Sequence, residues 1–325
     1  MSSFAGDGVD IVAIRAATDS DIYFAPNFYP GRGDFSNLQT ALNWITWGNN
    51  GNNGSSTPSK QLAVTDSDNT YNTALNGKPY IASVSPWFSI HFGGEVSYTK
   101  NWVFPSRLLW YNRWREILAT SPRFNDYGES HYIGPLSSPY IDDGASKWVM
   151  GMPYNGWLDM AKPFIAAYKA GSKLPIRFLD EEKLVYWYRT TPKNVNCDIT
   201  DTTIQPDGAD NMADEVFIVT MLKSPTTVYM QSGYEAETYD AKAGMWSHSV
   251  PMGSFKVVRE GKTVDSLYGI SRRDITDTYP CGIYNFNAYM GTLPAEASVD
   301  RLQPAGLALL SQGLQITCPT TLGAR

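Results

Sequence analysis

The chain has 325 residues with 32 acidic and 26 basic side chains, so its formal net charge is −6 and its pI is about 5.1. This charge does not favour binding of nucleic acid or anionic lipid, because both require a basic patch that neutralises phosphate. Apolar residues make up 42% of the chain and charged residues 18%, which is typical of a folded protein with a sizeable core. No stretch approaches the roughly 20 apolar residues of a membrane span, and the first residues lack the basic and apolar regions of a signal peptide.

The first half of the chain alternates strand-like and helix-like segments, a pattern that favours parallel βα units. The order of apolar residues predicts helices over residues 9–17, 35–41, 70–75, 106–119 and 157–169, and strands over residues 21–26, 42–47 and 78–85. The helix over 157–169 is the clearest, because its apolar residues recur on one face and Gly171 ends it. Pro163 is expected to kink this helix or to reset its start.

From about Leu179 onward, strand-like segments follow one another without an intervening helix. Strands are predicted over residues 183–188, 216–222, 226–231, 254–259 and 282–289. Such a succession is typical of an all-β domain and most often of a β-sandwich. We therefore expect a boundary near residues 172–180, with a first domain over residues 1–175 and a second over residues 176–325.

The densest polar cluster spans residues 125–135 and contains two carboxylates, Asp126 and Glu129, on either side of a glycine. Glycoside hydrolysis needs such a pair, because one acid protonates the departing oxygen while the other activates water or attacks the anomeric carbon. The residues alone leave a second interpretation open, in which the cluster is a polar loop with an aspartate cap.

No metal or cofactor is predicted. The three histidines lie far apart and lack the spacing of metal ligands, and the sequence has neither a glycine-rich phosphate loop nor a nucleophile elbow. The cysteines leave two alternatives open, a disulfide between Cys197 and Cys281 in a secreted protein or buried free thiols.

Five phrases of the sequence together resemble a known family. They are NDYGESHYIGP at 125–135, VSPWF at 84–88, KNW at 100–102, MPYNGW at 152–157 and YNFNAY at 284–289. With these phrases the chain resembles fungal glycoside hydrolase family 71, the endo-α-1,3-glucanases or mutanases, over nearly its whole length.

The resemblance implies a (β/α)₈ TIM-type barrel followed by a C-terminal β-sandwich. It implies an extracellular or cell-wall enzyme without a metal, and we expect a monomer whose partner is α-1,3-glucan. It further implies inverting cleavage of this polysaccharide by Asp126 and Glu129, with Glu129 as the general acid and Asp126 as the base or stabiliser. The residues expected to line the glucan cleft are Trp47, Trp87, Tyr127 and His131.

Two departures from the family pattern qualify this expectation. The chain begins where the fourth barrel strand is expected to end, so the first three βα units are missing and the barrel is partial. A strand is also expected to be missing just before the acidic cluster, because residues 120–124 contain a proline and no β-branched run. Two alternatives to an active hydrolase therefore stay open, a non-catalytic α-glucan-binding protein and an inactive fragment.

Overall fold

Thirteen strands and four α-helices are formed by the residues that the computed structural model describes. These residues are 8–18, 21–43, 65–84, 86–90, 102–104, 120–122, 127–130, 132–134, 146–149, 151–197, 205–232, 235–250, 254–259, 262–270, 274–279 and 283–296. Among the helices of these ranges, none is long and apolar enough to cross a membrane.

The helices and strands of the first half are short. In chain order they are α1 (Ile11–Ala16), β1 (Ala41–Asn43), α2 (Thr65–Leu75), β2 (Tyr80–Val84), β3 (Phe88–Ile90), β4 (Trp102–Phe104), β5 (Thr120–Pro122), α3 (Ser146–Val149) and α4 (Asn155–Lys169). Strands β1, β2 and β5 form a parallel sheet in that order. Strands β3 and β4 form a separate antiparallel pair.

Strand β5 corrects the expectation that no strand precedes the acidic cluster. Residues 120–122 pair in parallel with residues 82–84 of β2, with Ala82 opposite Thr120 and Val84 opposite Pro122. A three-residue strand such as β5 can form without a run of β-branched residues, because its backbone pairs with the longer strand β2. Pro122 lies at the end of the strand, where a missing N–H is tolerated.

Two other expectations for the first half were wrong. Residues 35–40 form turns and bends rather than a helix, Ala41 already begins β1, and residues 21–26 form no strand. The carbonyls of Phe24 and Pro26 do accept the N–H groups of Thr40 and Leu42, at 3.3 and 3.0 Å. The two segments therefore run side by side, but Pro26 has no N–H to donate and cannot extend the ladder. The expected helix over 106–119 and residues 44–47 of an expected strand lie outside the described residues.

The second half contains eight strands in two antiparallel sheets. They are β6 (Lys183–Arg189), β7 (Val216–Leu222), β8 (Thr226–Ser232), β9 (Glu235–Ala241), β10 (Gly244–Val250), β11 (Ser254–Arg259), β12 (Lys262–Ile270) and β13 (Ala288–Leu293). One sheet has the order β10-β7-β6-β13 and the other β12-β11-β8-β9. Four of the five predicted strands are confirmed, and the fifth begins later than expected, at Ala288.

The central strands of the first sheet, β6 and β7, are buried on both faces. On one face, Tyr186 and Ile218 share a core with Val228 and Met230 of the other sheet. On the opposite face, residues of β6, β7 and β13 pack against helix α4, and the ring of Trp187 lies 6.1 Å from the ring of Trp157. The core on this second face takes residues from both sides of the predicted boundary at 175, so the two parts of the chain share one interior.

Helix α4 confirms the predicted helix over 157–169 and includes Pro163 without a break. Its start is fixed by a close approach to the sheet at Gly156, where any larger residue would meet β6 and β13. Gly171, with φ of +63°, follows the helix, and the N–H of Ser172 reaches back to the carbonyl of Ala167 at 2.8 Å.

Ion pairs around the buried side chains of Asp159 and Lys183 join helix α4 to β6. Lys183 donates to Asp159 at 2.8 Å and to Glu296, and Lys162 donates to the other oxygen of Asp159 at 2.5 Å. Burial alone would raise the pKa of Asp159, but the hydrogen bonds and charges of the two lysines outweigh it, so the pKa lies below its ordinary value. Burial alone would lower the pKa of Lys183, but the carboxylates of Asp159 and Glu296 raise it.

Replacing Gly156 by alanine is expected to lower the free energy of unfolding. A Cβ at this position would lie 2.7 Å from Met290 Sδ and 2.7 Å from Val185 Cγ1. Overpacking costs roughly 1–3 kcal/mol, whereas the higher helix propensity of alanine returns at most about 1 kcal/mol. These ranges leave a net loss of about 0–3 kcal/mol. We expect about 1–2 kcal/mol in urea unfolding, because two of the contacts would be shorter than 3.0 Å. Unchanged or higher stability would contradict the packing of α4 on the sheet.

Replacing Asp159 by asparagine is expected to destabilise the protein at neutral pH by about 1–3 kcal/mol, because Lys183 loses a buried ionic partner. The folded pKa of Asp159 is lowered, so its contribution is present above the ordinary pKa of 3.8 and is lost as pH falls through the folded pKa. In urea unfolding, the difference between wild type and variant should therefore shrink below about pH 4.

The matched control is Lys162→Met, which removes the exposed partner of the same carboxylate. An exposed ion pair contributes little, so this variant should lose less than about 1 kcal/mol. A difference between wild type and Asp159→Asn that persists undiminished to about pH 2 would show that the carboxylate is not the source of the effect.

Candidate active site

The predicted site residues follow the carboxyl ends of the three parallel strands. Parallel strands present these ends at one edge of a sheet, and in α/β folds the segments that leave this edge carry the catalytic residues. In this chain they are Trp47 after β1, Trp87 after β2, and Asp126, Tyr127 and Glu129 after β5. In chain order, the acidic cluster and the two tryptophans therefore come after strands of one parallel sheet.

We call residues 125–135 the acidic segment. It contains a 3₁₀ turn, Tyr127–Glu129, which packs against β3. Glu129 is half-buried, and the next residue, Ser130, is fully buried with a φ of +58°. A left-handed conformation costs a residue with a Cβ roughly 1–2 kcal/mol. The hydroxyl of Ser130 donates to the carbonyl of Ser89 at 3.0 Å, which holds this conformation in place. Backbone strain is thus stored directly beside one of the predicted catalytic carboxylates.

Beyond the turn, the segment is fixed by Tyr132. Its ring stacks on Tyr154 with the centroids 4.0 Å apart and the planes 5° from parallel. Its hydroxyl donates to the carbonyl of Met152 at 2.7 Å and accepts from Nδ2 of Asn287 at 2.9 Å. Tyr132 is therefore bonded both to the chain before α4 and to the residue that precedes β13.

Asn287 satisfies every hydrogen-bonding position of its side chain. Nδ2 donates to the Tyr132 hydroxyl and to the carbonyl of Trp148 at 3.2 Å. Oδ1 accepts from the N–H of Ala288 at 3.0 Å and from the hydroxyl of Tyr154. Burial raises the pKa of Tyr154, so its hydroxyl keeps the proton that it donates. We call Asn287, Tyr132, Tyr154 and Trp148 the asparagine node.

Trp87 lies inside the protein. Its side chain is 2% exposed, and its indole N–H donates to the carbonyl of Phe286 at 2.9 Å. It therefore links the end of β2 to the same segment that carries Asn287. Its contact with glucan stays a prediction.

The other predicted site residues are described in part or not at all. Trp47, Asp126 and His131 lie outside the described residues, and of Tyr127 only the backbone is described. The separation of the Asp126 and Glu129 carboxyl groups therefore stays a prediction. Within the described ranges, no group of three or more His, Cys, Asp and Glu side chains could hold a metal ion.

A second group of carboxylates surrounds a cavity of about 230 Å³ that Asp159 and Glu296 line. Both carboxylates accept from the ammonium group of Lys183. A general acid needs a raised pKa, whereas this arrangement lowers the pKa of Asp159. The cluster is suited to holding α4 against the sheet rather than to protonating a leaving group.

The asparagine node could not be identified from the sequence. The phrase at 284–289 stands out there as part of the family resemblance, but nothing in it marks Asn287 apart from Asn285. The distinguishing feature is a set of partners more than a hundred residues away in the chain.

The sequence profile of glycosyl hydrolase family 71 matches residues 1–303. A mutanase of Penicillium rubens is 41% identical over 307 residues, which cover 90% of this chain and 66% of the mutanase. The glucan endo-1,3-alpha-glucosidase agn1 of Schizosaccharomyces pombe is 35% identical over 295 residues, which cover 86% of this chain and 64% of the relative. An ascus wall endo-1,3-alpha-glucanase of the same organism is 31% identical over 191 residues, covering 55% of this chain and 43% of the relative.

This chain thus spans about two thirds of the length of the first two relatives. No solved structure matches it. The profile match covers nearly all of the sequence and confirms the resemblance of the five phrases. The chain belongs to glycosyl hydrolase family 71.

Proposed function

We propose that this protein is an endo-acting hydrolase of α-1,3-glucan. The observation that carries the proposal is that the acidic segment comes directly after β5, a strand of a parallel sheet, in a chain of a glycosyl hydrolase family. The names of its relatives, a mutanase and two endo-1,3-alpha-glucan hydrolases, support the substrate. An inactive chain was one alternative because a strand was expected to be missing before the acidic segment. Strand β5 is present at that place in the chain.

The proposed reaction is hydrolysis with inversion. Glu129 protonates the glycosidic oxygen as the bond between this oxygen and the anomeric carbon breaks. Asp126 takes a proton from a water molecule that attacks the opposite face of the sugar. Inversion requires the two carboxyl groups to be roughly 6.5–9.5 Å apart, so that the water fits between them. Two residues, Tyr127 and Gly128, separate the acids in the chain, so we expect the turn Tyr127–Glu129 to govern this distance.

We further propose that Trp47, Tyr127 and His131 line the glucan cleft, within a (β/α)₈-type barrel followed by a β-sandwich, and that the buried Trp87 supports this region from the interior. The half-burial of Glu129 supports a cleft beside the turn, because a substrate can reach such a carboxylate while water is partly excluded. The protein acts as a monomer outside the cell or in the cell wall, where its insoluble substrate is found.

Asp126→Asn and Glu129→Gln are each expected to lower the release of reducing sugar from insoluble α-1,3-glucan by about 10²–10⁴-fold, because each removes a proton-transfer group. Pull-down on the polysaccharide and the melting temperature should change little. The control is Glu237→Gln, which neutralises an exposed carboxylate on β9. Near wild-type turnover by either site variant would exclude that residue from the proposed role.

The stereochemistry of the first product provides a separate test. Inverting cleavage of an α-linkage releases the β-anomer, because water attacks the face opposite to the departing oxygen. We expect ¹H NMR of α-1,3-gluco-oligosaccharide hydrolysis to show the β-anomer before mutarotation. Initial release of the α-anomer would mean that one carboxylate acts as a nucleophile, with the two groups only about 5–5.5 Å apart.

A further inference from the structure

The acidic segment is held at two points that lie on either side of residue 131. On one side, Ser130 is bonded to Ser89 of β3, at 3.0 Å. On the other side, the hydroxyl of Tyr132 is bonded to Asn287, at 2.9 Å. The first contact stays within the part of the chain that carries the predicted catalytic residues. The second comes from the far end of the chain, just before β13.

We propose that Asn287 is a positioning residue for the acidic segment, acting through Tyr132, so that the C-terminal half of the chain is part of the catalytic unit. This inference rests on the proposed function, since it assigns a role toward the carboxylates of that function. Asn287 does not touch the substrate or the reacting atoms in this proposal. It fixes where the chain leaves the turn that carries Glu129.

The side chain of Asn287 can adopt only one orientation in this environment. Its Oδ1 faces two donors, the N–H of Ala288 and the hydroxyl of Tyr154. Its Nδ2 faces a carbonyl, that of Trp148, and the Tyr132 hydroxyl, whose own proton is given to Met152. A rotated amide would set donor against donor and acceptor against acceptor inside the core, which is costly for buried groups. The direction of the bond to Tyr132 is therefore fixed.

The backbone of Asn287 is also fixed. Its N–H donates to Oδ1 of Asn285 at 3.0 Å, and the next residue, Ala288, pairs with Arg189 in the sheet. The intervening residue, Phe286, receives the indole N–H of Trp87 and lies under the guanidinium of Arg189, 5.1 Å from the ring centroid. A shift of Tyr132 therefore cannot be absorbed by movement of Asn287.

Asn285 provides a matched control for Asn287. Both are buried, both precede β13, and both donate Nδ2 to the same carbonyl of Trp148 at 3.2 Å. Only Asn287 also donates to Tyr132. Replacement by aspartate keeps the accepting oxygen in each case and puts a second acceptor in place of the donating group. At 287 this acceptor faces the Tyr132 hydroxyl, which can donate to it only by giving up its bond to Met152, whereas the change at 285 does not reach the acidic segment.

The experiment compares both variants with wild type in three measurements on the full chain. These are kcat and KM on α-1,3-gluco-oligosaccharides, the pH profile of kcat, and hydrogen–deuterium exchange. We expect Asn287→Asp to lower kcat by about 10–100-fold with little change in KM, since small displacements of catalytic groups have effects of this size. We expect an altered pH profile for this variant and faster exchange over residues 127–134, with unchanged exchange over β7. Asn285→Asp should keep kcat within about twofold of wild type.

The proposal is overturned if both variants lose kcat equally, or if the loss in Asn287→Asp only follows the loss of folded protein. If wild type itself is inactive, the proposed function fails for this chain, and hydrogen exchange decides the positioning role alone. Faster exchange over residues 127–134 in Asn287→Asp than in Asn285→Asp supports it, and equal exchange rejects it. If Asn287→Asp does not fold, Tyr132→Phe breaks the same contact from the other side and is judged by the same criteria.

Discussion

The buried side-chain amide of Asn287 is hydrogen-bonded to three separate segments of this protein. Asn287 is fully excluded from solvent, and an amide in that position is destabilising unless each of its donors and acceptors is satisfied. Its partners are Tyr132 in the acidic segment, Trp148 in α3 and Tyr154 at the start of α4. All hydrogen bonds of the asparagine node form only when these segments and the start of β13 are in their folded positions. The position of each segment therefore constrains the positions of the others.

The burial of β6 and β7 on both faces likewise packs the two halves of the chain together. Strands β6 and β7 are buried along their whole length, so neither could stand at the surface of an independent sandwich. One face needs the second sheet, and the other needs Trp157, Met160 and Phe164 of α4. The C-terminal half thus packs against the same interior to which Trp87, Tyr132 and Trp157 belong.

The parts of the fold that the sequence predicted well are those with strong local patterns. Helix α4 follows from apolar residues on one helical face, and β6 and β7 follow from uninterrupted apolar runs. The sequence does not predict β5, because the strand has only three residues and lacks an apolar pattern. Its extended conformation depends on pairing with β2. The apolar residues of the segment over 21–26 predict a strand, but Pro26 lacks the N–H that a ladder needs.

In the candidate site, too, local sequence patterns predict some residues, and others depend on tertiary contacts. The acid pair Asp126 and Glu129 is predicted from its chemistry together with the family resemblance, and the profile match confirms the family alone. Asn287 and Tyr154 were not identified, because a buried polar residue acquires its role from partners that only the tertiary structure brings together. Trp87, predicted at the cleft for its aromatic ring, is held in the interior by the Phe286 carbonyl.

A double-mutant cycle between Tyr132→Phe and Asn287→Ala, read out by urea unfolding at neutral pH, tests the link between the acidic segment and the C-terminal half most directly. Each single substitution removes one partner of the 2.9 Å contact, and the double variant removes both. Because the contact is buried and part of a network, the two losses should be non-additive, with a coupling energy of about 1 kcal/mol or more. Losses that add within about 0.5 kcal/mol would show that the two residues do not act on each other.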